Sequence, residues 1–204
     1  MSIAVVILAG GQGTRIGGNK PLRTLAGKSL LERAVEFAHG ISKVCAVAVR
    51  DEAQSGSVEI PVLRDDPEIE GPLGGLVSAL RFARDEGAAA ALTMPSDMPF
   101  LPPDLADRLV EGLGRARAGI ASSGGQLHPV CGIWSIEALD AVPEYLASGR
   151  RSLKGFADAV GSVDIDWSAE PFDPFFNINT EEDLAEAERL KVEDFDLSTR
   201  RDSR

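Results

Sequence analysis

The chain has 204 residues, 44% of them hydrophobic and 26% charged, a composition that supports one ordinary domain with a core of its own. Lys and Arg total 21 against 32 Asp and Glu, for a formal charge of −11, which argues against duplex nucleic acid or an anionic membrane as main partner, since both need clustered positive charge. Apolar runs such as Ile3 to Ala9 fall far short of the roughly 20 residues a bilayer span takes. No signal-peptide pattern opens the sequence, and Cys45 and Cys131 sit in strand-like settings that suit buried thiols in a reducing compartment. The expectation is a soluble cytoplasmic protein.

In chain order, Ile3 to Leu8 reads as a strand covered on both faces. It runs into a glycine-rich loop that ends at Lys20-Pro21. The spacing predicts a helix from about Ser29 to His39, a second strand over Val44 to Val49 and a short third near Ile60 to Leu63. Arg64 to Gly75 reads as loop, followed by a helix from about Leu76 to Asp85 and a strand over Ala89 to Met94. A helix from Pro103 or Asp104 to about Gly112 comes next, then strands over Gly119 to Ser122 and Gly125 to Trp134. Helices over Ile136 to Leu146 and Ser152 to Val160 follow, with a strand at Ser162 to Asp166. A capping-box-like Thr180-Glu181-Glu182-Asp183 opens the last helix.

This alternation predicts an α/β fold: a Rossmann-like three-layer domain with a mainly parallel sheet. We expect a single domain over residues 1–191, with a regular first half over about 1–122, a less regular second half over about 123–191, and a polar, disordered tail at 192–204.

A glycine-rich loop between a first strand and a first helix can turn bare backbone N–H groups onto phosphate oxygens. The dinucleotide fingerprint fails here because Ile16 occupies its third glycine position, and a Walker A loop fails because Lys20 is followed by Pro21. A plain tight turn has no use for Arg15 and Lys20 together. A phosphate-bearing ligand does: backbone dipoles plus two cations answer the charge of its oxygens. Lys20 is read here as an exposed cation. Asp97, after the fourth strand, lies at the carboxyl end where ligands sit in open α/β sheets.

The motif Leu8-Ala9-Gly10-Gly11, with Gly13, Arg15, Gly17-Gly18 and Lys20, resembles the nucleotidyltransferases that activate sugars, pterins and alcohols. The later motifs Gly71-Pro72-Leu73-Gly74-Gly75, Pro95-Ser96-Asp97-Met98-Pro99, His128-Pro129 and Phe176-Asn177-Ile178-Asn179-Thr180 make the sequence most similar to the molybdenum cofactor guanylyltransferases, the MobA family. The resemblance implies transfer of GMP from GTP to the terminal phosphate of molybdopterin, with release of pyrophosphate. It implies Arg15, Lys20 and Asp97 as catalytic residues, with Asp97 as ligand of Mg²⁺. Magnesium prefers one or two carboxylates plus substrate phosphates and water.

On the nucleotide side the resemblance implies Leu8, Ala9, Gly10, Gly11, Gly13, Lys20, Asp65, Gly71, Pro72, Leu73 and Asp97. Asp65, of the pair Asp65-Asp66, matches a family aspartate of the nucleotide pocket by its spacing to Gly71. On the acceptor side it implies Gly18, His128, Arg151, Asn177 and Asn179. Val47 stands where some members place a nucleotide-contacting Asn. The implied partners are GTP and the molybdopterin cofactor, with transient contacts to cofactor-synthesis proteins or molybdoenzyme chaperones. The alternatives are a cytidylyltransferase for the same pterin, a sugar-1-phosphate nucleotidyltransferase, and a catalytically silent nucleotide- or cofactor-binding homologue. A phosphate acceptor is already ionised at neutral pH and needs no general base, in keeping with only two histidines, His39 and His128.

Overall fold

The computed structural model describes residues 1–10 and 20–190. Expectations that fall on Gly11, Gly13, Arg15, Gly18 and the 192–204 tail lie outside the described residues.

β1 (Ile3–Leu8) is followed, after the loop, by a small hairpin of β2 (Thr24–Leu25) and β3 (Lys28–Ser29). Its turn residues Ala26 and Gly27 both have positive φ, 49° and 79°, the backbone hand that lets two twisted strands meet in a two-residue turn. The sequence reading missed this hairpin because two-residue strands carry no periodicity. α1 (Leu30–Ile41) starts where its chemistry dictates: Ser29 accepts from the Glu32 N–H, and the Glu32 carboxylate accepts from the Ser29 N–H.

β4 (Cys45–Val49) and β5 (Val62–Arg64) lead to α2 (Pro72–Asp85). This helix starts four residues before the expected Leu76. Pro72 occupies the first helical turn, where a missing N–H costs nothing, and Gly71 precedes it with φ 75°. The glycines of the first turn are a packing demand, since a Cβ on Gly74 would stand 2.9 Å from the Ile69 carbonyl oxygen. β6 (Ala90–Pro95), α3 (Leu105–Leu113), β7 (Ala118–Ser123) and β8 (Gln126–Ser135) follow. The single helix expected over Ile136 to Leu146 divides into a 3₁₀ stretch, Ile136–Ala141, and α4 (Val142–Ala147), with Pro143 in the first turn of the second piece. α5 (Leu153–Val160), β9 (Ser162–Trp167) and a helix over residues 181–190 complete the described chain.

Seven strands form one sheet in the order β5-β4-β1-β6-β8-β7-β9. β8 alone runs against the others: β6 and β7 both pair with it antiparallel, whereas β1–β4, β1–β6, β4–β5 and β7–β9 are parallel. The mainly parallel sheet expected from the alternation is therefore present, with helices on both faces. Ala4 and Val6 of β1 face one core layer with Leu73, Leu76 and Leu80 of α2 and Phe156 of α5. Val5 and Ile7 face the other, with Leu31 of α1 and Leu105 and Leu109 of α3. Covering on both sides explains the unbroken apolar run of β1.

Both tryptophans and both cysteines are buried, and the cysteines are free thiols. Trp134 donates its Nε1–H to Thr93 Oγ1 at 3.1 Å and stacks on Phe156 at 6.0 Å, while Tyr145 meets Phe156 edge-on at 5.3 Å. Phe156 thus ties α5 and α4 to the sheet. Truncating it, Phe156→Ala, is expected to cost about 3–5 kcal/mol, read as a fall in the urea unfolding midpoint with an unchanged slope.

Candidate active site

The chain leaves β1 toward β4 and β5, then returns to the opposite flank of β1 as β6. This reversal opens a crevice at the carboxyl ends of the strands, where no crossover helix can cover it. A cavity of about 280 Å³ occupies it. Leu8 and Gly10 beyond β1, Ala48 and Arg50 at the end of β4, Pro95 and Asp97 at the end of β6, and Gly71, Pro72 and Gly75 at the start of α2 form its walls. Val130 and Asn177 close the far side.

Lys20 sits at the foot of the glycine loop, in a 3₁₀ turn with Pro21. It is 8% exposed, which corrects its reading as an exposed cation. Its Nζ lies 2.5 Å from Asp97 Oδ2 and donates to Asn179 Oδ1 at 2.8 Å and Asn177 Oδ1 at 3.4 Å. The two amides flank Ile178, which is fully buried against Leu25 and Leu30, so both turn the same way along the extended segment. The Ile178 N–H donates to the Asp97 carbonyl at 3.0 Å, fixing that segment beside β6. One buried ammonium thereby joins three parts of the chain far apart in sequence.

Asp97 has its second oxygen to spare: Oδ1 is buried without a hydrogen-bond partner among the described residues. An orphaned carboxylate oxygen beside a cation and two amides fits a divalent metal that takes its remaining ligands from phosphates and water. Among the described residues no group of three or more His, Cys, Asp or Glu could hold a metal by itself.

The second carboxylate, Asp65, follows β5 and lies between two glycines. A Cβ on Gly10 would stand 2.6 Å from Asp65 Oδ2, and one on Gly75 would stand 3.2 Å from Asp65 Oδ1. Glycine at both positions is what admits the carboxylate. Asp65 Oδ1 is buried and unpartnered too, and burial pushes the carboxyl pKa upward against a smaller opposing pull from Arg50.

The expected site residues do not all share this cavity. Leu8, Gly10, Asp65, Gly71, Pro72, Asp97 and Asn177 line it, with Lys20 and Asn179 bonded to its edge. The Ala9 and Leu73 side chains are buried in the two core layers, which leaves only their backbone for a ligand. Val47 is fully buried against the α1 side and does not occupy the cavity-facing position of β4; Ala48 and Arg50 do. Arg151 is exposed, and its Nη1 donates to the Leu146 and Arg150 carbonyls at 2.8 Å each, outside the cavity lining. His128 is half-buried, stacked on Phe175 at 4.7 Å and bonded through Nε2 to Ser123 Oγ at 2.8 Å. Burial lowers its pKa, with Asp173 opposing.

Sequence reading missed Arg50 and Val130. Arg50 directly follows a strand, so the rule that placed Asp97 could also have found it. Val130 enters the cavity because Pro129 has no N–H for the ladder. The pairing of β7 with β8 skips from Gly132 to His128 across this point, a bulge that re-aims the intervening side chains.

The MobA-like NTP transferase domain matches residues 5–161. Molybdenum cofactor guanylyltransferase of Cereibacter sphaeroides is 37% identical over 196 residues, covering 95% of this chain and 100% of that protein. The protein of that name in Rhodopseudomonas palustris (strain BisB5) is 38% identical, covering 93% of this chain and 94% of its own. Among solved structures, molybdopterin-guanine dinucleotide biosynthesis protein A from Archaeoglobus fulgidus superposes with a TM-score of 0.76 at 27% identity, over 93% of this chain and 99% of that one. No described helix is long and apolar enough to cross a membrane.

Two outcomes test the electrostatics of the site. Lys20→Ala should destabilise the free protein by about 3 kcal/mol, because it strands Asp97 and two amides; chemical denaturation measures this. Asp65→Asn should stabilise it at neutral pH. A carboxyl whose folded pKa is raised binds its proton more readily in the native state, so its ionisation costs stability as pH rises. The gain in Asp65→Asn should be full above the raised folded pKa and vanish as pH falls below the ordinary unfolded value, about 3.9; melting temperatures across pH 3–8 (about that span) follow it.

Proposed function

We propose, from the premise that this chain belongs to the MobA-like NTP transferases and is a nucleotidyltransferase, that it is a molybdenum cofactor guanylyltransferase. Its substrates are GTP and the molybdopterin cofactor, and its products molybdopterin guanine dinucleotide and pyrophosphate. The observation that carries this reading is the Lys20–Asp97 pair at the foot of the glycine loop, with Asp97 Oδ1 buried and unpartnered. A silent binding homologue gains nothing from holding so costly a group.

In the proposed reaction an ionised oxygen of the acceptor's terminal phosphate attacks the α-phosphorus of GTP, a P–O bond forms, and the bond to pyrophosphate breaks. No side chain has to remove a proton, so catalysis is positioning and charge neutralisation. Lys20 neutralises phosphate charge and orients Asp97. Asn177 and Asn179 hold the Lys20 ammonium at the junction between donor and acceptor halves. Arg15 and the amides of Gly11 and Gly13 are proposed for the phosphates. Asp97 would hold Mg²⁺, which would supply Lewis-acid stabilisation of the phosphoryl oxygens when bound. Gly10, Asp65, Gly71 and Pro72 enclose the nucleotide, with Leu8, and with Ala9 and Leu73 through their backbone. Gly18, His128 and Arg151 are proposed for the acceptor.

The protein is proposed to work in the cytoplasm, with cofactor-synthesis proteins or molybdoenzyme chaperones as transient partners. The cytidylyl and sugar-nucleotide alternatives are weakened by the full-length likeness to proteins named as guanylyltransferases.

Asp97→Asn keeps the shape and an acceptor for Lys20 but removes the charge, and should lower Mg²⁺-dependent transfer by at least about 100-fold; the fold should persist by circular dichroism, with a lower melting temperature because the buried Lys20 ammonium loses its counter-charge. Turnover near the parent rate would remove Asp97 from the metal. In competition against labelled GTP, CTP should be weaker by a factor approaching about 10⁴ where base hydrogen bonds are unmet; equal competition would overturn the guanine assignment.

A further inference from the structure

We infer that Arg50 is a specificity-determining residue, reading the O6/N7 edge of guanine while Asp65 beside it takes the N1–H and N2–H edge. The inference rests on the guanylyl reading above and assigns its base selection to a pair of side chains.

The placement of β4 carries the first half of the argument. Side chains alternate along a strand, and here Cys45, Val47 and Val49 pack toward α1 while Ala46 and Ala48 pack toward α2. The Val47 position is therefore turned away from the cavity. At the end of this strand the polar side chain facing the cavity is that of Arg50. Its backbone is held in place: the Arg50 and Asp51 N–H groups both donate to Gln54 Oε1 at 3.1 Å. Asp51 in turn caps the 3₁₀ turn Glu52–Gln54 by accepting from the Ala53 N–H at 2.9 Å.

The guanidinium, by contrast, makes no hydrogen bond or ion pair among the described residues. The other arginines near the site spend theirs: Arg64 on Glu52 and Arg81 on Asp66. Arg50 and Asp65 pack against the same backbone point. A Cβ on Gly10 would stand 2.6 Å from Asp65 Oδ2 and 3.3 Å from Arg50 Cγ. An unspent five-donor fork and a buried unpartnered acceptor thus stand side by side on one wall.

Guanine is the nucleobase with matching neighbours. Its O6 and N7 accept from one fork of an arginine, the commonest specific contact to this base, and the adjoining N1–H and N2–H donate to a carboxylate. Adenine offers a donor at position 6 and a bare N1, so it would meet Arg50 with a donor and Asp65 with a lone pair. Cytosine and uracil have no N7 edge. The pair therefore selects by attraction to guanine and by unmet charge against the other bases.

Equilibrium binding of GTP, 7-deaza-GTP, ITP, CTP and pyrophosphate to the full chain, its Arg50→Ala and Arg50→Lys variants and Asp65→Asn tests the assignment. The parent should bind GTP at least about fivefold tighter than 7-deaza-GTP, which lacks the N7 acceptor. In Arg50→Ala, GTP should weaken about tenfold or more and the 7-deaza penalty should shrink to within about twofold, with pyrophosphate binding unchanged. Arg50→Lys should recover part of the GTP affinity. Asp65→Asn should lose the preference for GTP over ITP, which lacks the N2 amino group, and keep the 7-deaza penalty. A parent indifferent to 7-deaza-GTP overturns the assignment without any variant. So does an Arg50→Ala that weakens every ligand equally, pyrophosphate included, since that marks a phosphate contact. A parent that prefers CTP overturns the guanylyl reading itself, an outcome distinct from both.

Discussion

A buried ammonium has to be neutralised, and the way Lys20 meets that requirement organises the rest of the site. With 8% of its surface exposed, Lys20 would be too costly to keep charged without partners. It finds them in Asp97 from the end of β6 and in Asn177 and Asn179 from the segment before the last helix. The turn at Lys20–Leu22, the end of β6 and the segment of Asn177 and Asn179 are therefore held in register by one group. The same arrangement leaves Asp97 Oδ1 without a partner, so the protein keeps an anionic oxygen pointed where a metal and a triphosphate are proposed to sit.

Asp65 repeats the pattern at the other end of the cavity. Gly10 and Gly75 give up side chains to make room for it, and its raised pKa records what burial costs without a ligand. One carboxylate that destabilises the empty protein, and a second that keeps a buried oxygen unpartnered, are what a site looks like when stability has been given up for binding. The Trp134–Phe156–Tyr145 cluster under α4 and α5, all within the core, shows ordinary close packing away from the cavity.

Much of this was legible in the sequence because strong local patterns carry it. The apolar run of β1, the helical spacing from Ser29 to His39, and the regular strand–helix alternation led to the right elements and a mainly parallel sheet. What failed was weaker in local signal. The β2–β3 hairpin is too short to have a period. α2 begins at Pro72 because Gly71-Pro72-Leu73-Gly74-Gly75 is a helix start that resembles a loop, its glycines demanded by packing rather than by a turn. Lys20 looked exposed because burial of a charge depends on partners 77 to 159 residues away (Asp97 to Asn179), which no window along the chain can see. Arg50 was passed over, and Val47 weighed in its place, because the face of β4 that meets the cavity is set by the packing of α1 and α2 and cannot be read from five buried residues in a row.

The central claim is that the crevice between β1 and β6 binds the nucleotide, base toward Asp65 and α-phosphate toward Lys20 and Asp97. A crystal structure with α,β-methylene-GTP and Mg²⁺, whose α–β bond cannot be cleaved by transfer, tests it directly. The account predicts guanine density between Gly10 and Gly71 against Asp65, with an α-phosphate oxygen and a metal within coordination reach of Asp97. Nucleotide density elsewhere on the molecule, or in this cavity with the triphosphate turned away from Lys20 and Asp97, would contradict it.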